Sequence, residues 1–345
     1  MRLFKRVLAI AIAVAPASVY AGTTTYDVNN PLLWSHTEGA NSEAVFNFDY
    51  SNYGIPLSTT GGSQPRAMRL RANINSAAAA VQGVTVSPTG VALTGDYTIK
   101  AHVWLNTFGA FSAGGSGGSG TTQFFGVGSG YTGGVNYRAG ATTGGGSGTW
   151  FAVDNEGGFI PTSSTIRDFS AFTGSGAVAA NFVTTASAYA ANSVDTTNPQ
   201  DNANSYYKTL FPSRDVTTLN NGDLATKQNA IATAAGVSPA PQTGTGVDGG
   251  PLFAWREYTI QRTGNTVTFS IDNNLIATLT NSPADGGTSI TYFDATSGVS
   301  GIPDLNFALV SDYSITTPDV VPEPAALSLV GVGALALVRR RRRRA

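Results

Sequence analysis

The 345-residue chain has no cysteine and only two histidines, His36 and His102. Without cysteine an exported chain has no disulfide staples, so its stability must rest on a core. About 300 residues can supply one, since a chain of that size buries roughly 75% of the surface its unfolded form exposes. Two distant histidines also exclude a zinc site of the usual His or Cys spacing. Any Ser-His-Asp triad would have to use one of them. No apolar run reaches the ~20 residues of a full membrane span.

Positive charge is scarce once the two ends are set aside. The whole chain carries 20 basic and 21 acidic residues. Nine of the basic residues, Arg2, Lys5, Arg6 and Arg339 to Arg344, lie at the ends together with one acid, Glu323. The body from Gly22 to Val321 therefore holds 11 basic against 20 acidic residues, a net charge of −9. Such a body has no electrostatic footprint for nucleic acid or for an anionic membrane. Divalent cations suit it better than phosphates, and the same charge also keeps a secreted protein soluble.

The ends themselves read as addresses. Arg2, Lys5 and Arg6 precede an apolar stretch, Val7 to Val14, and Val19-Tyr20-Ala21 places small residues where a signal peptidase reads. Residues 1–21 are thus expected to be a secretory signal peptide, with the mature chain beginning near Gly22. At the other end, residues 322–345 hold three parts in order: Pro322-Glu323-Pro324, an uncharged apolar run from Ala325 to Val338, and the arginines Arg339, Arg340, Arg341, Arg342, Arg343 and Arg344. Fourteen helical residues rise only ~21 Å, against the ~30 Å of a hydrocarbon core. A short span with a basic cytoplasmic stop suits a transient anchor.

This order of parts resembles the PEP-CTERM sorting signal. The resemblance implies recognition by a membrane protease-transpeptidase, exosortase, and removal of the tail as the protein reaches the cell envelope or extracellular matrix. Its implied partners are an exosortase-like transpeptidase and, before processing, the inner membrane; the leader adds signal peptidase. The alternative is a plain C-terminal anchor that is never cut.

Between the ends, 41 glycines and short alternating apolar runs argue for many strands joined by turns. Met68, Leu70, Ala72 and Ile74 alternate with Arg69, Arg71 and Asn73, and Tyr97 to Leu105 repeat the period. Val267 to Ile271 and Leu275 to Leu279 flank Asp272-Asn273-Asn274, a hairpin. Phe307, Leu309, Ser311 and Tyr313 make a last strand. Helices are expected at Asp223 to Ala235 and, more weakly, at Asn204 to Leu210. Ala113 to Gly120, Ala139 to Gly148 and Ser238 to Pro251 read as loops. The expectation is an all-β sandwich over 22–321 with a loop and partly helical insertion at about 190–250.

The run from Trp255 to Asp272, followed by Leu-Ile-Ala, is similar to the paired-strand signature of laminin-G-like and concanavalin-A-like lectin/glucanase sandwiches. Phe48 to Pro56 and Val86 through Tyr97 resemble uncharacterised PEP-CTERM surface proteins of that architecture. The resemblance implies a concanavalin-A-like (jelly-roll) fold and an exported location, and no activity. Glycosidases of the concanavalin type carry a Glu-x-Asp-x-Glu strand, which is absent here.

Two motifs fail on context. Gly114-x-Ser116-x-Gly118 has neither the strand nor the helix of a nucleophile elbow. Gly244-x-Gly246-x-x-Gly249 likewise lacks the flanking elements of a dinucleotide site. His102 falls on the outward side of its strand with Lys100 and Trp104. Asp154, Asn155 and Glu156 form a hard-oxygen cluster that suits Ca²⁺ or simply a turn. Trp104, Trp150 and Trp255 are candidates for stacking on a sugar ring or for the core. These readings favour an exported envelope or matrix protein that binds polysaccharide without catalysis and needs no cofactor beyond Ca²⁺. The alternatives are a glycosidase or lyase on the same scaffold, or a purely structural or adhesive surface protein.

Overall fold

The structure is a computed structural model that describes residues 20–60, 62–72, 74, 82–108, 123–132, 147–154, 167–175, 183–196, 198–236, 242, 248–294 and 302–319. The proposed leader through Val19, the tail from residue 320, Asn73 and nearly all of the three glycine-rich tracts lie outside the described residues. The chain divides into two compact units, one spanning Thr23–Thr316 and the other joining Met1–Gly22 with Thr317–Ala345.

The larger unit is built from two sheets. The first has the order β12 (Asn274–Thr280), β11 (Thr266–Ile271), β10 (Trp255–Thr263), β6 (Tyr97–Asn106), β14 (Phe307–Asp319), β4 (Arg66–Ala72) and β3 (Ser42–Asp49), with β1 (Tyr20–Thr25) also pairing with β14. The second has the order β2 (Trp34–Glu38), β5 (Gln82–Pro88), β13 (Gly287–Asp294), β7 (Gln123–Thr132), β8 (Ser147–Asp154) and β9 (Phe169–Ser175). Neighbouring strands run antiparallel. Antiparallel pairing lets each sheet keep one apolar face and one polar face, and the apolar faces meet. Phe151 of the second sheet stacks on Phe269 of the first at 4.7 Å, and Phe125 meets Tyr258 edge-on at 5.1 Å. Thr288 and Tyr313 share a hydrogen bond between the layers at 2.5 Å. This is the all-β sandwich expected from the alternation, in the jelly-roll class that the resemblance implied.

Individual strands follow their sequence periods closely. Tyr97, Ile99, Ala101, Val103 and Leu105 are all buried on the inner face of β6. The hairpin between β11 and β12 turns on Asp272 and Asn273, both at positive φ (50° and 64°), which short polar side chains tolerate. Among the described residues the α-helices are α1 (Ser205–Leu210) and α2 (Asp223–Ala234). Asn204 caps α1 by accepting from the Tyr206 N–H at 2.9 Å.

Two departures have clear causes. The tract expected as a loop through Gly148 ends inside a strand, because Ser147 and Gly148 open β8. A Cβ on Gly148 would come within 2.6 Å of the Trp150 ring, so glycine here serves packing. On the last strand, Phe307, Leu309, Ser311 and Tyr313 do not share a face. A bulge between Val310 and Asp312 leaves Ser311 unpaired, so Ala308 and Val310 face inward before it, and Tyr313 and Ile315 after it.

Candidate functional site

The bulge decides what the outer face of the first sheet presents. With inward residues set on β6, β10 and β14, the outward residues align in four rows: Trp255, Trp104 and Leu309; Glu257, His102 and Asp312; Thr259, Lys100 and Ser314; Gln261, Thr98 and Thr316. On β11, Ser270 faces Thr259 and Thr268 faces Gln261, extending two of these rows. In the first row Trp104 and Leu309 are buried and Trp255 is part-buried, and the other three rows are open to solvent to varying degrees.

The boundary between the closed and open parts falls at His102. Its Nδ1 is hydrogen-bonded to Ser58 Oγ at 2.8 Å and to Ser311 Oγ at 3.3 Å, and the two hydroxyls are 2.7 Å apart. Its ring stacks on Trp255 with centroids 5.5 Å apart and planes 17° apart. Trp255 in turn donates its Nε1–H to the Pro56 carbonyl at 2.7 Å, so the 50–60 segment is tied to the sheet at two points. Burial pulls the His102 pKa below its ordinary value, outweighing the carboxylates of Asp272, Asp312 and Glu257, which push it up. Lys100 pairs with Glu257 at 2.8 Å in the open rows. Asp272 reaches back from the hairpin turn to accept from the Glu257 N–H at 2.9 Å and from Arg256 at 2.7 Å.

Above the first row, α2 is held by a buried amide network. Gln228 donates to Asn106 Oδ1 at 2.8 Å, and Gln242 donates to Gln228 Oε1 at 2.9 Å. Asn106 Oδ1 also accepts from the Trp104 indole at 3.2 Å. Trp104 is therefore core under the helical insertion, 1% exposed, with no ring face for a sugar. That corrects the outward placement of Trp104, whose strand parity is right but whose face is covered. His102, expected on an exposed strand face, is half-buried because Ser58 of the 50–60 segment and the Trp255 ring lie against it.

Trp150 is likewise enclosed, 1% exposed, with its indole donating to Ser289 Oγ at 3.1 Å. Its ring lies over Gly128, where a Cβ would come 2.1 Å from Nε1. Of the three tryptophans, Trp104 and Trp255 pack together with ring centroids 6.0 Å apart, Trp150 lies in the other sheet, and Trp255 is the one that is part-exposed. Asp154 ends β8, buried, its N–H donating to the carbonyl of Asp168 just before β9 at 2.9 Å, and the Asp168 carboxylate accepts from the Asn202 N–H at 2.8 Å. Asn155 and Glu156 lie outside the described residues, among which no three His, Cys, Asp or Glu side chains are grouped to hold a metal. Sequence reasoning missed Ser58 entirely, since nothing local marks it. Ser311 was legible only as a polar residue interrupting an apolar alternation.

Residues 320–343 match the PEP-CTERM protein-sorting motif. The chain carries a PEP-CTERM sorting signal. The match takes in Pro322, Glu323, Pro324, the apolar run and the arginines through Arg343. A PEP-CTERM protein is exported, held at the membrane by its C-terminal signal before processing, and handled by an exosortase. Among the described residues no helix is long and apolar enough to cross a membrane.

The PEP-CTERM chain as a whole matches no curated protein. Several solved structures resemble it. The Emp47p carbohydrate recognition domain is 10% identical, with 87% of this chain and 96% of that one covered and a TM-score of 0.38. The Ca²⁺-bound exoplasmic/lumenal domain of VIP36 is 8% identical, with 85% and 86% covered and a TM-score of 0.41. A Bacillus subtilis protein of unknown function with a galectin-like fold is 6% identical, with 88% and 100% covered and a TM-score of 0.40. With TM-scores below 0.5, the fold rests on the two sheets and their shared core.

Proposed function

We propose that this exported protein acts at the cell surface or in the extracellular matrix, where it binds polysaccharide on the open face of the first sheet without cleaving it. The observation that carries this reading is the set of three open rows, which line up hydroxyl, amide, ammonium and carboxylate groups over neighbouring strands. Strands lie about 4.8 Å apart, so the face from β11 to β14 offers hydrogen-bonding groups over roughly 15 Å, the scale of a few sugar units. The Thr259 hydroxyl within it is buried and without a partner among the described residues, which leaves a donor for a ligand to satisfy.

The catalytic reading has less to stand on. Ser58 and His102 form a nucleophile-like pair, but no described carboxylate comes within 4.0 Å of His102 to orient it. Asp154 and Asp168, neighbours through a backbone hydrogen bond, are both buried rather than set along a cleft.

Glycan-array binding of the purified protein, run with and without Ca²⁺, the cation expected at Asp154, Asn155 and Glu156, tests the reading. Glu257→Ala and Thr259→Ala are expected to weaken binding of a captured polysaccharide about tenfold, the scale of one hydrogen bond to a charged group. Binding that both variants leave unchanged, or reducing-sugar release from the bound glycan, would overturn it.

A further inference from the structure

We propose a second ligand site at the side of the sandwich, a hydroxyl-lined groove that takes a neutral saccharide unit. It goes beyond the sheet-face reading in both place and ligand. β12 and β9 are the terminal strands of their sheets on this side. The segment from Val183 to Tyr189 bridges them, with the Val183 N–H donating to the Ala171 carbonyl at 2.9 Å and Tyr189 pairing with Ala277. A groove of about 550 Å³ lies beneath that bridge, within the range typical of small-molecule sites.

Its chemistry is narrow. Thr173 comes from β9, Thr278 and Thr280 from β12, Ser282 from just beyond it, and Thr184, Thr185 and Ser187 from the bridging segment. Val183, Ala188 and Leu279 complete the described lining, and none of these described residues is charged. Hydroxyls around apolar carbon match the two kinds of surface on a sugar ring and give an ionic ligand no counter-charge. An independent observation points the same way. The Ser282 hydroxyl is buried and has no partner among the described residues, a state that a ligand hydroxyl in the groove would relieve.

Titration calorimetry of the purified protein with maltose, cellobiose and lactose, and with a glucuronic-acid disaccharide as the charged probe, tests the site. At least one neutral disaccharide should bind with Kd of about 1 mM, and the charged probe should bind at least fivefold more weakly. Ala188→Trp, which fills the groove, should abolish binding. Ser282→Ala, which changes no shape, should weaken it about fivefold with an unchanged melting temperature. Glu257→Ala on the sheet face should leave it intact, so failure of this site and failure of the face reading separate. No binding by any neutral disaccharide, equal binding of the charged probe, or binding unaffected by Ser282→Ala would overturn the proposal.

Discussion

The imidazole of His102 lies almost parallel to the indole of Trp255, 5.5 Å between centroids, while its Nδ1 is held by Ser58. A histidine held this way is buried in its neutral form, and its folded pKa lies below the unfolded value of about 6.5. As pH falls below ~6.5 the unfolded chain takes up the proton first, so stability drops with falling pH until the folded pKa is passed. Denaturant unfolding at pH 8, 7, 6 and 5 should show this loss, and His102→Gln should flatten that part of the profile. A profile identical in both proteins would refute the assignment.

The glycine under Trp150 gives a second expectation. Gly128→Ala places a methyl inside the indole and should cost about 1–3 kcal/mol, the usual penalty of overpacking. Trp150→Phe, combined with it, should recover part of that loss. Equal stability of Gly128→Ala and the parent in urea would show that the ring can move aside.

The amide network predicts a loss of similar size from a residue far from any open surface. Gln228→Ala removes the buried amide bonds that Asn106 and Gln242 make to Gln228 and should destabilise by ~2–3 kcal/mol. A value under 0.5 kcal/mol in equilibrium unfolding would mean that α2 is held by its apolar contacts alone.

Because β14 runs between β6 and β4 in the first sheet, it cannot be removed as a trailing segment. A chain ending at Gly301 should expose both neighbouring edges and the apolar face behind them, and should aggregate. A soluble product with the parent melting temperature would contradict this placement.

The tail should be a processed signal rather than a lasting anchor, given a span about 9 Å short of the bilayer core. Intact mass of protein from its native host should show cleavage near Pro322 to Pro324 and loss of the arginines. Arg339 to Arg344 replaced by serine should leave uncut precursor or release it. Wild-type protein that still ends at Ala345 in the inner membrane would mark the tail as an ordinary anchor.

Sequence alone determined the address and the fold class. Both are written in local order, the address in a linear series of proline, apolar run and arginine, the fold in period-two alternation that any strand must show if one face is buried. It also located α2 and the Asp272-Asn273 turn, whose signals lie within a few residues. Only the tertiary structure decided which polar residues meet. The bulge at Ser311 changes the phase of β14 without changing its composition, and through it Ser311, His102 and Ser58, distant in the chain, reach one point. Trp104 and Trp150 turned out to be enclosed because burial of an outward strand position depends on what crosses over it. For Trp104 that is the helical insertion between β9 and β10, which no alternation within its own strand can reveal.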